Sequence, residues 1–256
     1  MARKPRLDID GFHHIVNRGV ARSNVYRCDE DKEMFLEILC KACKIYKVNI
    51  HDYCLMDNHY HLLLETTSQN LSLFMRQVNA NYAIYFNKKY KRTGHLWQGR
   101  YSSWYILNEE YLYSLFRYIE HNPIKAKLAQ AVGEYPYTLL ATLLNPRQQI
   151  IPCARHSRLK KEYHLEGIQE LMEKPLNKQE QQSLEAEQKK PVIQEEHTFR
   201  QARVTSLKEH FKDTKEIVSR NRAILLAIDD GYTQGEIARH LGLSTAMVSK
   251  IFRGVK

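Results

Sequence analysis

The stretch "NIHDYCLMDNHYHLLLET", residues 49–66, decides the fold. It reads as two strands, "NIHDYCLM" and "HYHLLLET". Between them Asp57-Asn58 makes the turn, because these side chains bond back to their own backbone. Side chains on a strand alternate faces, so His59 and His61 point the same way, roughly 6.5–7 Å apart. Tyr60, Leu62 and Leu64 point to the other face, which is the apolar one. Two imidazoles at that separation reach one divalent cation. They can equally be solvent-face residues, or one of them a hydrogen-bonded core histidine, and the strand pattern leaves both readings open.

Outward from this hairpin the elements fall into a regular order. "GFHHIVNRGV" (11–20) reads as a strand ending at Gly19. "DEDKEMFLEILCKACKIYKV" carries apolar residues at helical spacing, with acidic residues in its first turn. "LSLFMRQVNANYAIYFNKKYKR" (71–92) is a second helix, and "GHLWQGRYSSWYIL" (94–107) a strand or loop. "NEEYLYSLFRYIEHNP" (108–123) is a third helix with Asn108 as N-cap, ended by Pro123. The order strand, helix, strand, strand, helix, strand, helix predicts an α+β fold. It is a ferredoxin-like antiparallel sheet with helices packed on one face, joined to a small all-α helix-turn-helix domain.

Of the 256 residues, 43% are hydrophobic, enough to bury a core, and 27% are charged, which excludes a membrane protein. No apolar run approaches the roughly 20 residues of a spanning helix, and "MARKPRLDIDGFHH" has no apolar signal region. A cytoplasmic protein is the expectation. A net charge of +10 points to a polyanionic partner, most often nucleic acid. Tyr outnumbers Phe 16 to 8, which suits surfaces where unpaired bases stack as well as half-buried core positions. The five cysteines show no framework spacing, so reduced thiols are expected, with Cys40 and Cys43 of "CKAC" on a helix core face.

Zinc-peptidase chemistry needs H-E-x-x-H, which is absent, and "HYHLL" fails the two H-x-[ST] motifs of one phosphoesterase class. Metal-assisted phosphodiester cleavage remains. The third helix offers Tyr111, Tyr113 and Tyr118 as nucleophiles. Tyr118 and Asn122 lie four residues apart and share a helical face, so a hydroxyl and an amide oxygen there can approach a metal held from the sheet. Tyr118 can also be a packed helix aromatic.

Three blocks, "YCLMDNHYHLLLET", "RTGHLWQGRYSS" and "FRYIEHNPIKAKL", with "PRLDIDGFHHIVNRG" before them, resemble the single-tyrosine HUH transposases. The nearest branch is the REP-associated tyrosine transposases, and the resemblance covers roughly residues 3–140. It implies a ferredoxin-like palm and a metal site of His59 and His61 around Tyr60, with Mg²⁺ or Mn²⁺. It implies Tyr118 as nucleophile and Asn122 as third ligand, where related enzymes carry a stronger one. The implied substrate is single-stranded hairpin DNA, cut through a covalent 5′-phosphotyrosine. Arg18, Arg92, His95, Trp97, Arg100 and Tyr101 mix cations and rings suited to backbone neutralisation and stacking. A structural loop packing its Trp is the competing reading. A DNA-binding regulator that keeps the fold without cutting is the alternative function.

The chain is expected to divide into a catalytic domain (1–150), a linker or extension (151–200) and a helix-turn-helix domain (201–256). Residues 173–197, rich in Gln, Glu and Lys, read as a solvated helix or flexible linker. "TQGEIARHLGLSTAMVSKIFRG" (233–254) opens with a Thr233/Glu236 capping box and turns at Gly242. Ser244 caps the second helix. That helix would present Ser244, Thr245, Ser249, Lys250 and Arg253 to the major groove of duplex DNA. A helical hairpin for protein contact is the alternative. The sequence leaves monomer or homodimer open.

Overall fold

Antiparallel pairing builds a four-stranded sheet from β1 (Gly11–Arg18), β2 (Val48–Met56), β3 (His59–Thr66) and β4 (Ser102–Tyr105), in the order β2-β3-β1-β4. With α1 (Asp29–Tyr46) between β1 and β2, and α2 (Leu71–Lys89) between β3 and β4, this is the ferredoxin-like arrangement expected. The computed structural model describes residues 8–145, 150–189, 192–195, 198–201, 205–212, 214, 216–230 and 232–254; the side chains at 187–189, 192–195, 198–201, 229, 253 and 254 are outside that description. By contact the chain forms two compact units, Met1–Gln181 and Gln182–Lys256.

The alternation read from β3 holds. Tyr60, Leu62 and Leu64 are fully buried, and the Tyr60 ring packs 4.9 Å from Phe35 of α1. Phe35, Leu39, Phe74, Val78 and Phe86 complete this core, each contributing roughly 1.5–3 kcal/mol by burial. Gly19 follows β1 where its N–H donates to the Asn58 carbonyl at 2.8 Å. A Cβ there would meet the Ser23 carbonyl oxygen at 2.2 Å, so only glycine lets the chain fold back so close to Ser23.

The opposite face of the sheet carries α3 (Glu109–Glu120). Its N-cap is Asn108, whose Oδ1 accepts from the Tyr111 N–H at 2.7 Å. The sequence expects this helix to stop at Pro123; instead it ends at Glu120, and Pro123 opens the short α4 (Asn122–Lys125), where its missing N–H costs nothing. A bulge in β2 between Ile50 and Asp52 shifts the alternation. It turns Asp52 toward α3, where it meets Glu120, and both side chains are buried. Burial pushes the Asp52 carboxyl well above its usual range and raises Glu120 to about 7, so the pair holds a proton.

Beyond α3 the first unit continues through α5 (Leu139–Leu144), α6 (Arg158–Glu162), α7 (Leu165–Glu173) and the start of α8 (Lys178–Lys189). The boundary expected at residue 150 therefore falls inside it. Ser157 Oγ donates to the His51 carbonyl at 2.7 Å, and the His121 ring meets the Met172 carbonyl at 2.8 Å. Ala154, Leu159, Ile168 and Met172 are the few apolar residues that dock this segment, too sparse to register as a periodic pattern. Cys153 is disulfide-bonded to Cys40 of α1, Cα–Cα 5.1 Å, which corrects the expectation of reduced thiols for that pair. The two are 113 residues apart, so no spacing rule reveals them. Cys28, Cys43 and Cys54 are free.

The second unit contains a hairpin of β5 (Val192–Glu195) and β6 (Thr198–Gln201), the short α9 (Leu207–His210), and three longer helices, α10 (Ile217–Asp229), α11 (Gln234–Leu241) and α12 (Thr245–Gly254). Ile224, Ala227, Ile228, Ile237, Ala238 and Val248 form its core. The local signals of α11 and α12 hold: a complete Thr233/Glu236 capping box, Gly242 at φ 65°, and Ser244 Oγ accepting from the Met247 N–H. Among the described residues no helix is long and apolar enough to cross a membrane.

Candidate active site

The β2–β3 turn, the end of β1, the loop before β4 and the end of α3 surround a cleft of about 690 Å³. Strand register explains who faces it. On β3 the odd positions face α3, and antiparallel pairing sets Arg18 opposite His59 and Val16 opposite His61. His59 and His61 thus enter the cleft together, ring centroids 5.1 Å apart. The His61 ring lies 5.7 Å from that of Tyr118. Asn122 completes the group: its Nδ2 donates to the Tyr118 carbonyl at 2.8 Å, which leaves its Oδ1 as the acceptor end.

The three candidate tyrosines separate. Tyr111 is buried, and the Tyr113 hydroxyl donates to Glu162 of α6. Tyr118, half-buried, is the one in the cleft. Both cleft histidines stay neutral at neutral pH. Burial is the main cause: it lowers His59, helped by Arg18, and takes His61 well below the usual range, helped by His14, His59 and Lys125. A neutral imidazole offers the lone pair a metal needs.

The donor set suits a divalent cation. Among the described residues no three His, Cys, Asp or Glu side chains gather to hold a metal by themselves. The available set is two imidazoles and an amide oxygen, with positions left for water or a phosphate oxygen. Each cleft histidine has Nδ1 engaged, His59 with Asn58 Oδ1 at 2.6 Å and His61 with His14 Nε2 at 3.1 Å, so Nε2 is the free ring atom of both.

Of the other residues expected to contact DNA, Arg18 and Arg100 line the cleft. Arg18 donates through Nε to Gln98 Oε1 at 3.0 Å. Tyr101 offers no stacking face, which corrects that expectation, whereas Trp97 is half-buried. Trp97 donates through Nε1 to the Asn79 carbonyl and packs on Tyr60 and Tyr82, while Tyr101 is buried. Arg92 lies over the Phe86 ring, and His95 is exposed away from the cleft lining. In α12, Thr245 and Lys250 are exposed, and Ser244 is exposed but occupied as a cap. Ser249 is buried, correcting its placement on an outward face, and the Arg253 side chain lies outside the described residues.

Sequence reasoning missed Arg22, Asn58, Lys125 and His14. Arg22 and Asn58 line the cleft. The Lys125 ammonium sits 4.8 Å above the Tyr118 ring. Its signal was its place seven residues after Tyr118, two helical turns on, although the break at His121 makes that spacing less regular than it reads.

Residues 11–122 match the family model described as "Transposase IS200 like". Over that span the chain is similar to IS200-like transposases. Two solved structures resemble it. One is a REP-associated tyrosine transposase bound to a REP hairpin: 20% identity, 57% of this chain and 89% of that chain, TM-score 0.47. The other is a candidate transposase from Deinococcus radiodurans R1: 20% identity, 47% of this chain and 97% of that chain, TM-score 0.35. Comparison with curated proteins gives no match. The matched span ends at Asn122, so it takes in all four residues of the cleft cluster.

Proposed function

We propose that this protein is a metal-dependent single-strand DNA endonuclease and strand transferase that acts on hairpin-bearing DNA through Tyr118. The observation that carries this reading is the convergence of His59, His61, Tyr118 and Asn122 in one cleft of the span similar to IS200-like transposases. His59 and His61, with the Asn122 amide oxygen, would hold the cation through Nε2. A divalent ion bound there supplies Lewis-acid polarisation of the scissile phosphate and neutralises its growing charge.

The chain's own residues do the rest. Arg18, Arg22 and Arg100 steer the DNA backbone into the cleft and fix the phosphate beside Tyr118. The Tyr118 hydroxyl attacks phosphorus: an O–P bond to tyrosine forms as the bond to the 3′ oxygen breaks. The phenol proton passes to solvent, and the departing 3′ oxygen takes one up. The 5′ phosphate is then held on the enzyme as a phosphodiester, so an incoming 3′-OH can displace the tyrosine and rejoin the strand without hydrolysis. Lys125, above the ring, is placed to favour tyrosinate as it leaves.

In the second unit, α12 is read as a helix that enters the major groove of duplex DNA through Thr245 and Lys250. The test of the main reading is incubation of the full chain with hairpin-bearing single-stranded DNA and Mg²⁺ or Mn²⁺. A protein–DNA adduct that survives denaturing electrophoresis supports it. Binding without adduct under both metals transfers the case to a non-cutting regulator.

A further inference from the structure

His14 lies on the central strand β1, on the sheet face that meets α3, and is 1% exposed. It touches no solvent, so it makes no direct contact with substrate. Its Nε2 is 3.1 Å from His61 Nδ1, and the two rings are nearly parallel, 14° between their planes with centroids 5.4 Å apart, so the contact runs edge to edge. Trp104 at 5.2 Å and Tyr118 at 6.2 Å are among its ring neighbours. A hydrogen bond between two neutral imidazole nitrogens contains one proton, so one ring donates and the other accepts. The choice decides what His61 shows the cleft. If His14 donated, His61 would carry its proton on Nε2 and could not ligate through that atom. If His61 donates, its Nε2 lone pair is free.

The neighbouring histidine shows one pattern fixed by its partner. His59 Nδ1 faces Asn58 Oδ1 at 2.6 Å, and a carbonyl oxygen can only accept, so His59 Nδ1 carries the proton. The Asn58 amide is oriented by its other end, whose Nδ2 donates to the Arg22 carbonyl at 3.3 Å. His59 is thus held with Nε2 as the lone-pair atom. The same assignment at His61 gives two matched Nε2 ligands, each fixed by a partner at Nδ1.

We propose that His14 is a positioning residue for metal binding: it accepts the Nδ1 proton of His61 and locks that ring as an Nε2 ligand. This rests on the reading of His59 and His61 as metal ligands. Partners of this kind set both tautomer and ring direction, and their loss weakens metal binding by about 10–100-fold. In His14, the acceptor comes from a nearly coplanar ring inside the core, which also holds the plane of His61.

The experiment uses the full chain. In metal-free protein with ¹⁵N-labelled histidine, long-range ¹H–¹⁵N correlation reports the tautomer of each ring. The wild type is expected to show His61 protonated at Nδ1 with a pyridine-type Nε2. His14→Phe keeps a flat ring of similar volume and removes the acceptor. It should give mixed His61 tautomers and Mn²⁺ affinity, by calorimetry, lower by about 10–100-fold. His14→Gln returns an acceptor oxygen and should recover most of that loss. A wild-type His61 protonated at Nε2 overturns the proposal without any variant. So does a folded His14→Phe protein with unchanged tautomer and unchanged Mn²⁺ affinity. Mn²⁺ binding that survives His59→Ala with His61→Ala removes the ligand reading itself, and the metal role of His14 with it, whatever the tautomer.

Discussion

Neutralising Arg18, Arg22 and Arg100 together should flatten the salt dependence of single-strand DNA binding. The three guanidiniums border one cleft, so each is placed to replace counterions along the same backbone. Each phosphate neutralised on a single strand contributes about 0.7 to the slope of log affinity against log salt, so three contribute about 2. Over a fourfold rise, from about 50 to 200 mM, the wild type should lose roughly 18-fold more affinity than a variant with all three changed to Gln. All three residues are exposed, so the substitutions should leave the fold intact. Fluorescence anisotropy with a labelled hairpin, read at several salt concentrations, measures the slope directly, and thermal unfolding checks the fold. Equal slopes for the two proteins would place the DNA backbone elsewhere and refute the assignment of this cleft as the DNA path.

His13, buried and hydrogen-bonded to the Ile9 carbonyl, is lowered from 6.5 to about 4, chiefly by burial. Its folded value lies below its unfolded one, so its stabilisation is complete above about pH 6.5 and is lost as pH falls toward about 4. At pH 5 this is worth about 2 kcal/mol, so denaturant unfolding of His13→Gln should show a pH dependence shallower by that amount; identical profiles would refute it. The Asp52–Glu120 pair has the opposite sign. Its raised values favour the fold at low pH and lose that benefit as pH rises from about 4.5 through about 7, so Asp52→Asn should lose less stability over that range than the wild type. Lys250→Glu, on the exposed side of α12, should weaken duplex binding while hairpin cleavage persists; unchanged duplex affinity at fixed salt would favour protein contact for this helix.

The sheet and the His59/His61 pair were legible because period-2 alternation and turn chemistry are local, and the hairpin at 49–66 contains both. The capping box, Gly242 and Ser244 were legible for the same reason. Tertiary choices were not. Trp97 read as a stacking platform or a packed loop residue, and the sequence did not reveal that its ring packs on Tyr60 and Tyr82 while its indole N–H donates to the Asn79 carbonyl. Ser249 looked outward because helix periodicity does not say how far α12 is rotated on its core. His14 was visible in "GFHHIVNRG", but its meaning depends on strand register that places β1 beside β3. Tyr118 was singled out by its spacing to Asn122 and by the resemblance, but that α6 occupies Tyr113 and the core takes Tyr111 was not legible. Cys153 and the helices after residue 150 join the first unit through contacts more than a hundred residues long in sequence, and composition carries no trace of them.

The central claim is that Tyr118 becomes covalently linked to DNA. The most direct measurement is proteolysis and mass spectrometry of the adduct formed with hairpin-bearing single-stranded DNA and Mn²⁺, run beside Tyr118→Phe. That substitution removes one hydroxyl from a half-buried ring, so folding and DNA binding should be kept. The account predicts a nucleotide-bearing peptide containing Tyr118 in the wild type and no adduct in the variant. An adduct on Tyr111 or Tyr113, or one that persists in Tyr118→Phe, would contradict it.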